Sequence, residues 1–386
     1  MKSPRVLIYV QHLLGIGHLM RAAMISRALA EGGCKTVLVS GGLPVPDLEL
    51  GGAVLQQLPP VYASEDFARL LNERGEEIDD RFKAARRDQL VDFWRTFQPD
   101  VVVTELFPFG RRQMRYELVP LLEAATGSAT PPIVIASVRD ILQARAPTRV
   151  REALQWFGRY YDHLLVHADP GVVRLEVSVP AVIGITDRTH YTGYVVGTEM
   201  APNAGTHSDG GEVVVSAGGG AVGEAVLRAA IDARSATIYW DRTWRLLAGR
   251  NMTRNAFETL RGIASSGVVI ERVRSDFAAL LAAGALSISQ CGYNTMMDVL
   301  RAGIRAVVVP FAGDSETEQT MRADVWAARG GVHVVSEDDL SPATLAVAVN
   351  QAAESAPTAI SELNFDGAHK SANFIKEVAS ARVSSR

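Results

Sequence analysis

The stretch Ala285-Leu-Ser-Ile-Ser-Gln-Cys291-Gly292-Tyr-Asn294-Thr295-Met-Met-Asp298-Val-Leu-Arg-Ala-Gly303, followed by Val307-Val-Val-Pro310-Phe311 and by Glu318-Gln319-Thr-Met-Arg322-Ala323, decides the fold. Its first apolar run reads as a buried strand and Gly292 to Ala302 as a helix. Arg305 to Val309 reads as the next strand, and Glu316 to Arg329 as another helix. Two consecutive βα units result. In an open parallel sheet both loops and both helix starts emerge at the carboxyl edge of the strands, where ligands bind. Asn294, Thr295 and Asp298 fall on one helix face by their spacing, and Glu318 and Gln319 open the next helix. A carboxylate beside amide and hydroxyl groups suits a ligand rich in hydroxyls. The alternative is that Asp298 and Glu318 only offset helix dipoles.

This pattern resembles the donor-sugar half of the GT-B glycosyltransferases, most closely the family of the N-acetylglucosaminyltransferase that completes the lipid intermediate of peptidoglycan. In that family a Gly followed six residues later by an acid holds the ribose of a UDP-sugar, and a polar pair ending in Gln holds the hexose. Gly292, Asp298 and the pair Glu318-Gln319 match, with Glu318 standing where the family usually has a first Gln. The resemblance implies two doubly wound, Rossmann-like α/β domains facing a cleft, with the last helix crossing back to the first domain.

Working outward, the second half begins with a strand over Glu212 to Val215 and the loop Gly218-Gly219-Gly220 ahead of a helix, a setting suited to close approach by a pyrophosphate. A tight βα turn is the plainer reading of these glycines. Relatives often carry an Arg just after them; this chain has Ala221-Val222-Gly223, and Arg250 after the next strand is the substitute. Val273 lies where relatives embrace the nucleobase. The polar segment 197–211 is the clearest linker, giving an N-terminal acceptor-side domain over 1–196 and a C-terminal donor domain over 212–386.

The chain opens with a strand over Arg5 to Gln11, then Gly15-Ile-Gly17-His18-Leu-Met-Arg21 and a helix to about Glu31, and a second strand over Lys35 to Ser40. Met20 replaces the third Gly of the dinucleotide fingerprint, the second strand ends without the expected acid, and no GxxxxGK[ST] loop is present. NAD and ATP readings weaken accordingly. His18 at a helix start is disfavoured as an imidazolium and so suited to accept a proton. Arg21, one turn on, can hold a phosphate or a carboxylate. The competing reading makes His18 a helix cap and Arg21 a surface residue. Glu105 ends the strand from Asp100 and reaches the same carboxyl edge, able to orient His18 or to touch the acceptor, against the alternative of a structural contact to a neighbouring loop. The G-x-G-H-x-x-R form is similar to that of a set of predicted glycosyltransferases and equally to the nucleotide-sugar hydrolase of pseudaminic acid synthesis.

Val61 to Phe97 reads as polar and helical, with Lys83, Arg86 and Arg87 grouped. Arg111, Arg112 and Arg115 form a second basic group, and with Phe107 and Phe109 they suit an anionic lipid surface or a charged acceptor, against the alternative of a solvated helix face. Arg139-Asp140 and His167-Ala168-Asp169, at the ends of further short strands, are expected to line the cleft.

The 386 residues suffice for two cores, and a net charge of -4 gives no global basic field, which argues against nucleic acid as a partner. Cys34 and Cys291 lack metal-ligand spacing and fit a reduced, cytoplasmic setting. The run Val6 to Val10 is too short for a signal-peptide core, and no stretch approaches the roughly 20 apolar residues that span a bilayer. Any membrane contact is peripheral, at the inner face.

The function implied is inverting, metal-independent transfer of a hexose from a nucleotide sugar, UDP-linked, to an unidentified glycan, lipid or small-molecule acceptor. The nucleotide sugar is a co-substrate, and no cofactor or metal is expected. His18 and Glu105 are the candidate catalytic pair. Gly17, Gly218, Gly219, Gly220, Arg250, Val273, Gly292, Asn294, Thr295, Asp298, Glu318 and Gln319 are the candidate donor contacts. Hydrolysis or epimerisation of a nucleotide sugar, and a donor-binding subunit of a larger transferase, remain alternatives.

Overall fold

The computed structural model describes residues 3–64, 68–197, 211–217, 223–249, 252–313, 316–356 and 362–384. Gly218, Gly219, Gly220, Arg250 and most of the 197–211 linker lie outside the described residues. The chain forms two compact units, Met1–Gly197 with Asn364–Arg386, and Thr198–Leu363. The second unit thus ends at Leu363 rather than at the C-terminus.

In the first unit the strands are β1 (Arg5–Val10), β2 (Lys35–Ser40), β3 (Val54–Gln57), β4 (Val61–Ala63), β5 (Leu70–Asn72), β6 (Val101–Glu105), β7 (Ile133–Arg139), β8 (His163–His167) and β9 (Thr189–Tyr191). Its helices are α1 (Gly17–Glu31), α2 (Asp80–Phe97), α3 (Arg115–Thr126) and α4 (Pro147–Tyr160). Among the described residues seven strands form one sheet in the order β3-β2-β1-β6-β7-β8-β9, and every pairing is parallel. Strands buried on both faces read as continuous apolar runs rather than alternations. Val6–Val10 and Val101–Val103 do so, and both are fully buried.

The second unit holds β10 (Val213–Ser216), β11 (Trp244–Ala248), β12 (Val268–Arg272), β13 (Leu286–Ser289), β14 (Ala306–Val308) and β15 (Val332–Val334). Between them run α5 (Glu224–Ala233), α6 (Arg254–Ile263), α7 (Phe277–Ala283), α8 (Tyr293–Ala302), α9 (Glu318–Ala327) and α10 (Pro342–Glu354). Its sheet order is β12-β11-β10-β13-β14-β15, again parallel throughout. Each sheet therefore reverses its strand order beside its own first strand, at β1/β6 and at β10/β13. Ligands of open parallel sheets bind at the carboxyl ends of strands flanking such a reversal. The two-domain, doubly wound α/β architecture expected from the sequence is the one observed.

The last helix, α11 (Gly367–Ser384), belongs to the first unit. Ala368, Ala372, Ile375 and Ala379 join Leu19, Ala22 and Leu29 of α1 in one buried cluster beneath β1. The chain returns through paired backbone bonds, Tyr194 N to Asn364 O at 2.7 Å and Gly367 N to Tyr194 O at 3.0 Å. A Cβ on Gly367 would lie 2.5 Å from the Gly193 carbonyl, so this crossing requires glycine.

Three expectations are corrected here. The segment after Val61 is not helical until Asp80: β4 and β5 pair as an antiparallel hairpin, with Val61 and Ala63 buried and Tyr62 between them partly exposed, an alternation that favours strands. Arg86 is no surface charge. It is fully buried, with Nε 2.6 Å from Glu117 Oε2 and Nη2 donating to Gln11 Oε1 at 2.6 Å, while Nη1 donates to the carbonyls of Gly41 at 2.8 Å and of Pro59. Phe107 and Phe109 are buried too, Phe107 against Trp156 and Phe109 against Phe157, so they present nothing to a lipid surface. Among the described residues no helix is long and apolar enough to cross a membrane.

Candidate active site

The loop after β1 leads into α1, whose first turn carries His18 and Arg21. The helix start has Ile16 at its cap position and no side-chain cap, which overturns the reading of His18 as a cap. Both side chains turn inward instead, with His18 8% and Arg21 1% exposed. Glu105 ends β6, next to β1 in the sheet, and is 2% exposed. His18 Nδ1 lies 2.9 Å from Glu105 Oε1, and Arg21 Nη2 is bonded to the same oxygen. The Glu105 carboxylate is thus engaged by His18 and Arg21 within the protein. Arg21 holds a carboxylate as expected, but the carboxylate is the protein's own.

Arg21 Nη2 also sits 2.9 Å from His18 Nδ1. A guanidinium only donates and an ionised carboxylate only accepts. Glu105 therefore takes both hydrogens, since bonds to a charged acceptor are the stronger ones. His18 is thereby the Nδ1–H tautomer, and its Nε2 carries the lone pair. Among the described residues Nε2 has no hydrogen-bond partner.

Burial alone would push the Glu105 carboxyl up, but Arg21 and the bond from His18 override it and hold it well below the usual carboxylate range. Burial, then the positive charge of Arg111, pushes His18 well below the usual 6.5, against the pull of Glu105; Arg21 and Arg139 act in the same downward direction. His18 is thus neutral at physiological pH. Arg111, partly buried like Arg112 of the same basic group, is tied down by Nε donating to Gln11 O at 2.8 Å.

Behind this pair lies a polar chain that residue spacing did not reveal. Ser137 Oγ on β7 donates to Glu105 Oε2 at 2.6 Å and lies 2.8 Å from His167 Nε2 on β8. His167 is fully buried, so it lines no cleft. Asp140, also buried, is spent on the Ile141 amide at 2.7 Å. A polar residue within the apolar run Ile133–Val138 was the available sign for Ser137, whose backbone pairs with that of Glu105.

His12, His18 and His167 are all buried and lowered mainly by burial, His12 to about 4 and His167 to about 3, whereas burial raises Asp298 to about 7. Below pH 6.5 the unfolded chain binds more protons than the folded one on these histidines, and on His163 and His190, which burial also lowers, and this outweighs the one proton fewer on the aspartate. Stability then rises with pH in this window and falls on acidification, by about 1.4 kcal/mol per pH unit for each net proton. Urea melts at pH 7, 6 and 5 should show a steadily falling midpoint; a constant midpoint would contradict these burials.

In the second unit Gly292 caps α8 with φ of -64°, and a Cβ there would meet nothing within 4 Å. Neither backbone angle nor packing demands this glycine, and its effect is to leave the helix start bare. α8 has no side-chain cap and no acid in its first turn. Asn294 and Thr295 follow in that turn, both partly buried, and Asp298 one turn on is also partly buried. Asp298 has no hydrogen-bond partner among the described residues. Val273, partly buried, uses its own amide on Ala248 O at 2.9 Å. Gln319 Oε1 accepts from the Phe311 amide at 3.2 Å, fixing the loop after β14. Glu318 is 3% exposed and bound by Arg322 Nη2 at 2.8 Å, while Arg322 Nη1 donates to Cys291 O at 2.9 Å. This pair ties the start of α9 to the loop carrying Gly292.

Residues 250–380 match the family model described as glycosyltransferase family 28 C-terminal domain. No curated protein matches the sequence. Among solved structures the chain is similar to CalG4, the calicheamicin glycosyltransferase, with a TM-score of 0.62, 14% identity, and coverage of 99% of this chain and 95% of that one. It is similar to MurG of Acinetobacter baumannii, with a TM-score of 0.57, 15% identity, and coverage of 99% and 100%. It is also similar to the glycosyltransferase VinC, solved in complex with DTDP, with a TM-score of 0.56, 16% identity, and coverage of 98% and 95%. At such identities the likeness to these structures is one of fold.

Proposed function

We propose, for a chain that is a glycosyltransferase of the GT-B fold carrying a family 28 C-terminal domain, that it transfers a hexose from a nucleoside-diphosphate sugar to an acceptor hydroxyl with inversion at the anomeric carbon and without a metal. The observation that carries the reading is the buried His18–Glu105 pair with an unpartnered Nε2. In the step proposed, Nε2 takes the proton of the acceptor hydroxyl as its oxygen bonds to the anomeric carbon from the side opposite the diphosphate. The bond from that carbon to the diphosphate oxygen breaks, and the nucleoside diphosphate leaves with the electron pair. Glu105 stabilises the imidazolium formed.

The second unit supplies the donor contacts in this reading. The start of α8 at Gly292, which carries no side-chain cap and no acid in its first turn, presents its helix N-terminus to the diphosphate, Asp298 accepts from the ribose hydroxyls, and Asn294, Thr295 and Gln319 meet the hexose. Glu318 serves by holding Arg322 and, through it, the Gly292 loop. Gly218, Gly219, Gly220, Arg250 and Val273 complete the proposed donor set.

A panel of UDP- and dTDP-sugars, followed by nucleoside diphosphate release with and without glycan and lipid acceptors, tests the proposal. Release that needs an acceptor supports transfer, and release in water alone makes the protein a hydrolase. The same rates in EDTA are expected; loss in EDTA with rescue by magnesium would overturn metal independence.

Asp298→Asn should weaken nucleotide binding by about 1.5–3 kcal/mol, the scale of a hydrogen bond to a charged group, with little change in turnover of the bound complex, because a ribose contact is shared by ground and transition states. Since burial pushes Asp298 up to about 7, wild-type affinity for UDP should rise more steeply as pH passes upward through 7 than that of the variant, which keeps only the ionisation of the UDP phosphate. Calorimetry at pH 6 and 8 reads both effects. Equal affinities for the two proteins would return Asp298 to a role in the helix alone.

A further inference from the structure

Glu105, Ser137, His167 and Thr192 form one continuous buried chain, each at most 3% exposed. Beyond the two contacts of Ser137 described above, His167 Nδ1 lies 2.8 Å from Thr192 Oγ1, which is 3.1 Å from Gly193 O and 3.4 Å from Val166 O. The strands around them are otherwise apolar: Ile133–Ala136 and Leu164–Val166 are fully buried. Apolar side chains would fill these positions without the desolvation cost of polar ones.

Two proton orders satisfy the chain internally. In one, Ser137 donates to Glu105, His167 Nε2–H donates to Ser137, and Thr192 donates to His167 Nδ1. In the other every hydrogen is reversed: Thr192 donates to Gly193 O, His167 Nδ1–H to Thr192, and Ser137 to His167 Nε2. The second order leaves Glu105 Oε2 a buried anionic oxygen facing the Ser137 oxygen with no hydrogen between them. Losing a charge-assisted bond outweighs exchanging neutral ones, so the first order holds.

We infer that Ser137 and His167 are positioning residues of the active site: they fix Oε2 of Glu105 from behind, so that Oε1 stays aimed at His18 Nδ1 and Nε2 is kept as the basic nitrogen. His167 is accordingly a neutral Nε2–H tautomer that acts on the Glu105 carboxylate through Ser137. This extends, and rests on, the reading of His18 as the base. Without the Ser137 hydrogen, Oε2 loses its donor, the carboxylate grips the His18 Nδ1 hydrogen more strongly, and its orientation is less constrained.

The test is nitrogen-resolved NMR at pH 7 of the full chain labelled with 15N-histidine, His18 and His167 being assigned by His18→Gln and His167→Gln. His167 is expected to be protonated on Nε2 and bare on Nδ1. Ser137→Ala should move the His18 Nδ1–H proton signal downfield, and Ser137→Thr, which restores the hydroxyl, should return it. His167→Leu should move the same signal and His167→Gln, whose amide can still donate to Ser137, should not, so the test survives failure of either site's apolar variant to fold. An Nδ1–H tautomer at His167, or a His18 signal indifferent to both Ser137→Ala and His167→Leu, overturns the inference. The readout needs no turnover, so the outcome is separate from whether His18 is the base.

Discussion

His18→Ala is expected to lower turnover by roughly a hundredfold to ten-thousandfold, the usual range for loss of a general base, while nucleotide affinity stays close to that of the wild type. The affinity should hold because the proposed donor contacts all lie in the second unit except Gly17, which is backbone at the start of α1. Stability should change little. The helix loses no cap, and Glu105 keeps Arg21 and Ser137 as partners. Melting temperature, UDP affinity and turnover measured on one sample distinguish this from damage to the fold. Normal turnover in the folded variant would take His18 out of the mechanism, and Glu105 would become the next group to examine as base.

Glu105→Gln should fail on two counts. It removes the anion that holds the His18 tautomer and stabilises the imidazolium, so turnover should drop by about a hundredfold or more. It also leaves Arg21, 1% exposed, as a buried cation without its counter-charge. Breaking one side of such a pair costs about 3–5 kcal/mol, visible as a lower urea midpoint with an unchanged slope. Stability lost with turnover per folded molecule retained would make Glu105 a structural partner of Arg21 alone. The double variant Arg21→Met/Glu105→Gln removes both charges; it should recover much of the stability and none of the activity.

The elements around both candidate sites were legible because their signals are local. Apolar runs of five or six residues read as buried parallel strands, glycine-bearing loops read as βα turns, and spacings of three and four set the helix faces. Hence α1, α8 and β13 stand within a residue or two of their expected limits, and Asn294, Thr295 and Asp298 share one helix. Glu105 could be placed at the carboxyl edge simply because its strand ends there.

What spacing could not supply was the direction each polar side chain takes. Lys83, Arg86 and Arg87 are near neighbours in sequence, yet only Arg86 is fully buried, because Glu117 of α3 and the carbonyls of Gly41 and Pro59 are there to receive it. Phe107 and Phe109 read as a surface pair and are core residues, since Trp156 and Phe157 of α4 cover them.

The sequence by itself determined the α/β class, the glycine-led helix starts and the presence of a histidine and a carboxylate at one sheet edge. Each follows from interactions within a few residues, where helix and strand periods and backbone freedom operate. Only the tertiary structure decided that His18, Glu105, Ser137 and His167 stand in one row. They come from the helix after β1 and from β6, β7 and β8, and the sheet order β1-β6-β7-β8 sets these elements side by side. That order is chosen by burying both faces of a sheet under helices distant in sequence, a global packing solution that no local spacing records. It also decided which oxygen of Glu105 faces His18, because a buried carboxylate orients toward whichever donors the neighbouring strands bring to it.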